Sequence, residues 1–180
     1  MKPGLIIVDV LNDFVHGPLS TPSSLSVVGP CARTLAYFRR SGFPVFFVND
    51  AHIDEDVEMP LWGPHAMKGS EGAQVIEELR PVAGELVLEK HFYSGFQGTE
   101  LDTLLRVKGC DTVYLVGLDA DICVRHTAAD AFYRGYGIVV VRDAVAARID
   151  GNWEEYFRRV YGARIVESSE LVPEEHLERA

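Results

Sequence analysis

Short apolar runs alternate along the chain with stretches whose apolar residues recur at helical spacing. Short runs bounded by turn residues are typical of strands buried on both faces, as in a parallel sheet. The runs predict six strands, at residues 5–10, 44–49, 86–88, 112–117, 137–141 and 164–166. The periodic stretches predict helices at residues 28–40, 73–79, 99–107, 122–135 and 153–161. This alternation predicts an α/β fold, a doubly wound, mostly parallel six-stranded sheet with helices on both faces.

The rest of the chain is predicted to be irregular. Residues 11–26 carry Gly and Pro that break any periodicity, and residues 50–72 form a second long loop. Loops of that length inside a compact domain are usually functional. Residues 173–180 are predicted as a polar helical turn or a frayed end. With 180 residues and no repeat or linker, the chain is expected to form one domain over residues 1–180.

Composition and charge narrow the classes of function. The net charge of −10 argues against nucleic acid and anionic membranes as partners, since both bind a basic face. No segment approaches the roughly 18 apolar residues of a membrane span. Three widely spaced cysteines indicate neither a disulfide framework nor a structural zinc site. A reduced, cytoplasmic location is therefore expected.

The most informative stretch is residues 112–132, where a predicted strand passes into a predicted helix. Cys123 lies in the first helical turn just past the strand, where ligands bind in open α/β sheets. Unpaired backbone N–H groups and the helix dipole favour the reactive thiolate there. Asp119 and Asp121 would oppose thiolate formation by their charge, so a base would help. A free cysteine is otherwise most often a small buried hydrophobe.

Two further polar residues follow predicted strands and suit covalent hydrolysis. Asp9 ends the first strand, and Lys90 follows the third. A carboxylate beside the Cys123 thiol can take its proton. A lysine close to both would compensate the carboxylate's charge and fix its orientation. Alone, Asp9 is explained as a strand-end cap and Lys90 as a surface cation. The joint placement of these two residues and Cys123 at three strand ends makes them catalytic candidates.

A second polar set follows the second strand. Asp50 and His52 are two residues apart, and His65 comes thirteen residues later. One carboxylate and two imidazoles leave coordination positions open, as in a catalytic metal site, although such spacing seldom marks a metal site in a generic sequence. The acids at 54, 55, 56 and 58 are interpreted as a solvated face that could add to cation attraction.

Aromatic residues flank these polar groups. Phe14 and Trp62 could hold a flat ring, although core packing is the commoner use of both types. The remaining histidines, His91 among them, have no comparable partners and are interpreted as surface or satisfied histidines.

Three motifs, IIVDVLNDF, KHFYSGFQGTELDTLL and VGLDADICVRHTAADA, resemble those of the isochorismatase-like cysteine hydrolases. The resemblance covers roughly residues 4–148 and implies a catalytic triad of Asp9, Lys90 and Cys123. It also implies a cis peptide between Leu118 and Asp119, with an oxyanion hole formed by the N–H groups of Asp119 and Cys123.

Within that family the chain is similar to the nicotinamidase and pyrazinamidase branch. This branch implies one divalent metal at Asp50, His52 and His65, with zinc first and iron or manganese as alternatives. It further implies that Phe14 and Trp62 sandwich the pyridine ring.

The implied reaction is hydrolysis of nicotinamide to nicotinate and ammonia through a thioester. The expected partner is a small-molecule amide, and relatives often assemble as homo-oligomers. Two departures put the substrate in doubt: Leu11 stands where Gln is usual, and Asp119-Ala120 where Ala-Thr is usual. Alternatives are another small amide or ureide, a vinyl ether, a catalytically silent binding member, and a thiol redox protein.

Overall fold

The structure, a computed structural model, describes residues 1–171. Its six strands are β1 (Pro3–Val8), β2 (Val45–Asp50), β3 (Leu86–Lys90), β4 (Thr112–Leu118), β5 (Gly137–Ala146) and β6 (Arg164–Val166). Its helices are α1 (Asn12–Val15), α2 (Pro22–Ser26), α3 (Val28–Arg40), α4 (Met59–Trp62), α5 (Leu101–Val107), α6 (Cys123–Tyr133) and α7 (Trp153–Tyr161). Two 3-10 turns lie at Glu77–Leu79 and Ser168–Glu170. None of the helices within residues 1–171 is long and apolar enough to cross a membrane.

The strands form one sheet in the order β3-β2-β1-β4-β5-β6, and every pairing is parallel. The chain runs outward from β1 to β3 in one direction and from β4 to β6 in the other. The order therefore reverses between β1 and β4, and in such sheets ligands bind outside the carboxyl ends of the strands at that reversal. The predicted fold class is confirmed.

Successive residues of β1 supply the cores on the two faces of the sheet. Leu5 and Ile7 belong to a cluster that includes residues of α1 and α3, whereas Ile6 and Val8 belong to a cluster with α5, α6 and α7. This alternation follows from the period of two along a strand. Because both faces are covered by helices, the central strands read as continuous apolar runs.

The structure corrects several predicted elements. Residues 73–79 were predicted as a helix, but only Glu77–Leu79 form a 3-10 turn, because the backbone here pairs with residues after β1: Ile76 N–H donates to Val10 at 3.2 Å. The two predicted loops contain α1, α2 and α4. Strand β5 continues to Ala146, five residues past its predicted end. The helical turn predicted at 173–180 lies outside the described residues.

Gly117 allows β4 and β1 to come unusually close at the reversal point. Its φ is +111°, and a Cβ built on it would lie 2.0 Å from the carbonyl oxygen of Val8. Any side chain would clash there with backbone that cannot yield. The close approach places the residue after β1, Asp9, next to the end of β4.

One ion pair far from this reversal point gives a pH-dependent prediction. Burial alone would raise the pKa of Glu85, but two hydrogen bonds from Arg39 (2.7 and 2.9 Å) and one from the N–H of Val82 (2.8 Å) hold it below its ordinary 4.5. We expect Glu85→Gln to lower the free energy of unfolding at pH 7 by about 1 kcal/mol, the upper range for a partly exposed pair.

The sign follows from the lowered pKa. The carboxylate stabilises the fold above pH 4.5, and this contribution disappears as pH falls through the folded-state pKa. Urea unfolding at pH 7, 4 and 3 should therefore show a difference between wild type and Glu85→Gln that is largest at pH 7 and shrinks as the pH falls below 4.5. Glu77→Gln is the control, because Glu77 pairs with Arg80 on the open surface. A pH-independent difference would contradict the assignment.

Candidate functional site

Four polar residues meet where the ends of four neighbouring strands converge. Asp9 follows β1, Asp50 ends β2, Lys90 ends β3, and Cys123 opens the helix after β4. All four are buried. Asp9 has φ of +51°, a left-handed conformation uncommon for residues other than glycine, and such outliers cluster at functional sites. The structure thus brings together the three residues predicted to be catalytic.

Lys90 bridges two carboxylates at the centre of this group. Its Nζ lies 2.8 Å from Asp9 Oδ2 and also donates to Asp50 Oδ1. The backbone N–H of Asp50 donates to Asp9 Oδ1 at 2.7 Å. Burial opposes the charge on Lys90, but the carboxylates of Asp50 and Asp9 outweigh it and hold the lysine pKa well above its usual value. Lys90 therefore stays protonated and fixes both carboxylates in place.

Asp9 and Cys123 form an acid–base pair with unusual protonation. Burial and the charge of Asp50 raise the pKa of Asp9 to about 7, although Lys90 opposes this. Burial also raises the pKa of the Cys123 thiol well above its usual value. Oxygens of Asp9 and Asp50 and the sulfur of Cys123 lie within 4.8 Å of one another. The thiol thus needs a base, and Asp9 is the carboxylate next to it whose pKa lies near neutrality.

The turn before Cys123 presents free backbone donors. The peptide between Leu118 and Asp119 is cis, as the resemblance implies. The N–H of Ala120 donates to Ala146 at 2.8 Å and that of Val124 to the carbonyl of Asp119 at 3.1 Å. Within the described residues, the N–H groups of Asp119 and Cys123 have no backbone acceptor. Both remain available to a ligand, which is what an oxyanion hole requires.

A cluster with metal-ligand chemistry adjoins this group. Asp50, His52, Glu58 and His65 are buried, and each offers one ligand atom, all lying within 4.8 Å of one another. Three of the four are the predicted metal ligands. Glu58 is an addition, since it was placed on a solvated face. Glu58 is instead buried, and burial together with the charge of Asp50 raises its pKa to about 7.

Both histidines turn their Nε2 atom toward the cluster. His65 Nδ1 lies 2.8 Å from the carbonyl of Gly63, which can only accept, so this nitrogen carries the proton. His52 Nδ1 lies 2.7 Å from the carboxylate of Asp56. The Nε2 atoms are left for a ligand. Burial lowers the pKa of His65 and so favours its neutral, ligating form.

The atoms of the cluster itself indicate a site for a divalent cation. Asp50 Oδ2 and His52 Nε2 are buried without a hydrogen-bond partner and face each other at 3.4 Å. Burial opposes protonation of His52, but Asp50 and Asp56 outweigh it and raise its pKa to about 9. The site gathers several negative charges and leaves buried ligand atoms unpaired. It therefore suits a metal that accepts carboxylate and imidazole ligands, such as zinc, iron or manganese.

Sequence reasoning missed one contact beside the cluster and the burial of one of its acids. His91 was interpreted as a surface or satisfied histidine, and the partner that the sequence did not identify is Asp56, 3.0 Å from its Nδ1. Asp56 itself is largely buried instead of lying on a solvated face. The acids at 54 and 55 are exposed as predicted. The DxHxxxDxE spacing of residues 50–58 is the one signal that could have drawn attention to Asp56 and Glu58.

A small cavity connects Cys123 to the cluster. Its polar lining includes Asp50, Glu58 and His65. Phe14 and Trp62, the two predicted aromatic walls, both line it, and sequence reasoning missed the further contributions of Leu19, Tyr93, Ile122 and Arg148. The indole N–H of Trp62 donates to the Tyr93 hydroxyl at 3.1 Å, which joins α4 to the segment after β3. The aromatic side chains in its lining suit contact with a small flat molecule.

Arg148 and Asp119 form a charged pair in the wall of this cavity. Arg148 Nε donates to Asp119, and Nη2 donates to the carbonyl of Leu19 at 2.8 Å. Burial raises the pKa of Asp119, and Arg148 opposes this shift. The segment carrying Arg148 is anchored by Asp121, whose carboxylate accepts the backbone N–H groups of residues 148, 149 and 150. The unexpected acid at 119 is thus neutralised by an arginine that sequence reasoning had not connected to it.

The comparisons with known proteins agree with this geometry. Residues 3–170 match the sequence profile of the Isochorismatase domain. N-carbamoylsarcosine amidase from Thermoplasma acidophilum is 61% identical, with a TM-score of 0.92, over 93% of this chain and 97% of that one. Nicotinamidase PncA from Bacillus subtilis is 32% identical, with a TM-score of 0.85, over 93% and 100% of the chains. Pyrazinamidase of Pyrococcus horikoshii in complex with zinc is 26% identical, with a TM-score of 0.83, over 93% and 99%.

Proposed function

The chain belongs to the isochorismatase family, and on that basis we propose that it is a cysteine amidohydrolase that cleaves nicotinamide to nicotinate and ammonia. The proposal rests on one observation above all: a buried thiol, a carboxylate and a lysine meet at the sheet's reversal point beside a cluster that suits a metal. Cysteine, general base and orienting cation are the groups that covalent amide hydrolysis needs.

The first half of the reaction uses Asp9 and Cys123. Asp9 takes the thiol proton, and the Cys123 sulfur attacks the carboxamide carbon of the substrate. The oxygen that becomes negative is held by the free N–H groups of Asp119 and Cys123. Asp9 then returns the proton to the departing nitrogen, ammonia leaves, and a thioester remains on Cys123.

The second half repeats the same roles with water. Asp9 removes a proton from a water molecule that attacks the thioester carbon, and the sulfur leaves as the thiolate. Asp9 then returns this proton to the sulfur, and nicotinic acid departs and releases its own proton to solvent as nicotinate. Lys90 stays protonated throughout and keeps the Asp9 carboxylate oriented toward the thiol.

A divalent ion held by Asp50, His52, Glu58 and His65 would supply an anchoring site for the pyridine nitrogen, as the resemblance implies. The distance limits among these four side chains are compatible with a single ion. Phe14 and Trp62 line the cavity between this cluster and Cys123 and would enclose the ring. Nicotinamide is favoured as substrate by these aromatic side chains beside the cluster and by a solved relative named nicotinamidase PncA, which aligns over 100% of its own length.

Ammonia release from nicotinamide tests the proposal. We expect turnover by the zinc-loaded protein, a large loss after treatment with a chelator, and recovery when zinc is returned, because the substrate ring loses its anchor without the ion. Binding of nicotinamide followed by calorimetry should weaken in parallel. A folded, zinc-loaded protein that releases no ammonia from nicotinamide would overturn the nicotinamidase assignment.

A second candidate substrate is an N-carbamoyl amino acid. Arg148 lines the cavity that holds Cys123, and a guanidinium there could pair with a substrate carboxylate. The relative with 61% identity is an N-carbamoylsarcosine amidase. The same assay with N-carbamoylsarcosine separates the two candidates, since a higher kcat/KM for that substrate would favour the second. Turnover of neither would direct attention to the Asp119–Arg148 pair.

A further inference from the structure

Asp56 lies behind the metal-capable cluster without belonging to it. Its Oδ2 is 2.7 Å from His52 Nδ1 and 3.0 Å from His91 Nδ1, and it accepts the N–H of Ile53 at 3.2 Å. Only about a tenth of its side chain is exposed. The four residues whose ligand atoms converge do not include it. Asp56 thus contacts a candidate ligand from the side opposite to the ion position.

This contact determines which nitrogen of His52 faces the cluster. A carboxylate accepts the proton of Nδ1, so Nε2 is the nitrogen that can offer a lone pair to an ion, which displaces the second proton of the ring. That Nε2 atom lies 3.4 Å from Asp50 and 3.8 Å from Glu58, and it has no hydrogen-bond partner of its own. Without Asp56 the imidazole could take the other tautomer or rotate, and either change removes the lone pair from the cluster.

Asp56 also fastens the loop that carries Glu58. His91 follows Lys90 at the end of β3, so the contact between Asp56 and His91 ties the loop after β2 to the neighbouring strand. The carbonyl of Asp56 accepts the N–H of Met59 at 3.1 Å at the start of α4. One carboxylate group therefore orients one candidate ligand and tethers the segment bearing another.

We propose that Asp56 is a positioning residue for the divalent-cation site: it fixes the tautomer and orientation in which His52 presents Nε2 to the ion. The inference rests on the metal site of the proposed function. In metalloproteins, loss of a carboxylate that orients a ligating histidine typically weakens metal binding by about 10- to 100-fold.

The test is zinc affinity, measured by competition with a chromophoric chelator, and the absorption spectrum of the cobalt(II)-substituted protein. We expect Asp56→Ala to bind zinc about 10- to 100-fold more weakly than wild type and to alter the cobalt spectrum. Asp56→Asn keeps one acceptor for His52 Nδ1 and should fall between the two. Asp54→Asn, an exposed acid in the same loop, is the matched control and should bind like wild type.

The outcomes separate the inference from the site on which it rests. If wild type binds no zinc, the metal site is wrong and the inference falls with it. If wild type binds zinc and Asp56→Ala binds equally well, the inference alone is overturned. Thermal unfolding of the metal-free variants tests for a merely structural role of Asp56. A weakened zinc affinity with an unchanged metal-free Tm supports the positioning role. A loss of Tm that accounts for the change in affinity in both Asp56→Ala and Asp56→Asn contradicts that role.

Discussion

Replacement of Cys123 by Ala is expected to abolish amide hydrolysis while leaving the fold intact. The sulfur is the nucleophile that attacks the carboxamide in the proposed reaction, and without it the thioester cannot form. Deleting the nucleophile of other covalent hydrolases costs on the order of 10³-fold or more in kcat. The side chain is small and buried, so its removal leaves at most a small void and should cost about 1 kcal/mol of stability.

Cys110→Ala provides the matched control. Cys110 is also a buried free cysteine, but its sulfur donates a hydrogen bond to the carbonyl of Pro3 at 3.9 Å, at the start of β1 and therefore at the opposite end of that strand from Asp9. Its loss should change turnover little. Activity should be followed as ammonia release and the fold by circular dichroism and Tm. Retained turnover in Cys123→Ala, or an equal loss in Cys110→Ala, would refute the assignment of the nucleophile.

Much of the architecture could be predicted because a parallel sheet leaves a direct mark on the sequence. Central strands buried on both faces must be continuously apolar, and the polar residue that ends each run therefore lies at the sheet edge where ligands bind. Asp9 and Cys123 were found by that reasoning alone. Their roles stay predictions, but the structure places them together as the strand order requires.

Residues 73–79 show where local pattern fails. Their apolar spacing suits a helix, yet Ile76 and Leu79 are buried. The segment folds back on the residues after β1, where Val75 bridges Leu11 in an antiparallel pair. Pairing with a distant segment outweighed a weak local preference. Such a contact depends on where a loop folds back, which periodicity does not encode.

Glu58, Asp56 and Arg148 were missed for the same physical reason. Each lies on an irregular segment, where an acid or an arginine is most often solvated. Their burial depends on contacts with residues distant in sequence, as Asp56 meets His91 and Arg148 meets Asp119. The electrostatics of the candidate site are therefore set by contacts in the folded chain and cannot be predicted from motif spacing.

Lys90→Met is expected to be strongly destabilising as well as inactive. Lys90 is fully buried and lies between the carboxylates of Asp9 and Asp50, and the one other cationic group that pairs with them among the described residues is His52, 3.4 Å from Asp50. Methionine has a similar length but no charge, so the variant would leave the buried Asp9 carboxylate without a cation and Asp50 with His52 alone. Breaking a buried ion pair in this way costs about 3–5 kcal/mol.

Urea unfolding of the metal-free protein measures this loss, because a bound cation could replace part of the missing charge. Lys68→Met is the matched control: Lys68 pairs with Glu89 at 2.6 Å, but both side chains are more than half exposed, and the pair should contribute at most about 1 kcal/mol.

The double variant Lys90→Met/Asp50→Asn gives the sharper reading. Removing one of the two carboxylates should restore part of the stability lost in Lys90→Met, and the interaction energy from the double-mutant cycle isolates the coupling of Lys90 to Asp50. Activity should not return, because Asp9 still lacks the cation that orients it. A Lys90→Met protein as stable as Lys68→Met would show that the lysine does not compensate the buried carboxylates. Recovery of turnover in the double variant would show that Lys90 serves only to neutralise Asp50 and does not orient Asp9.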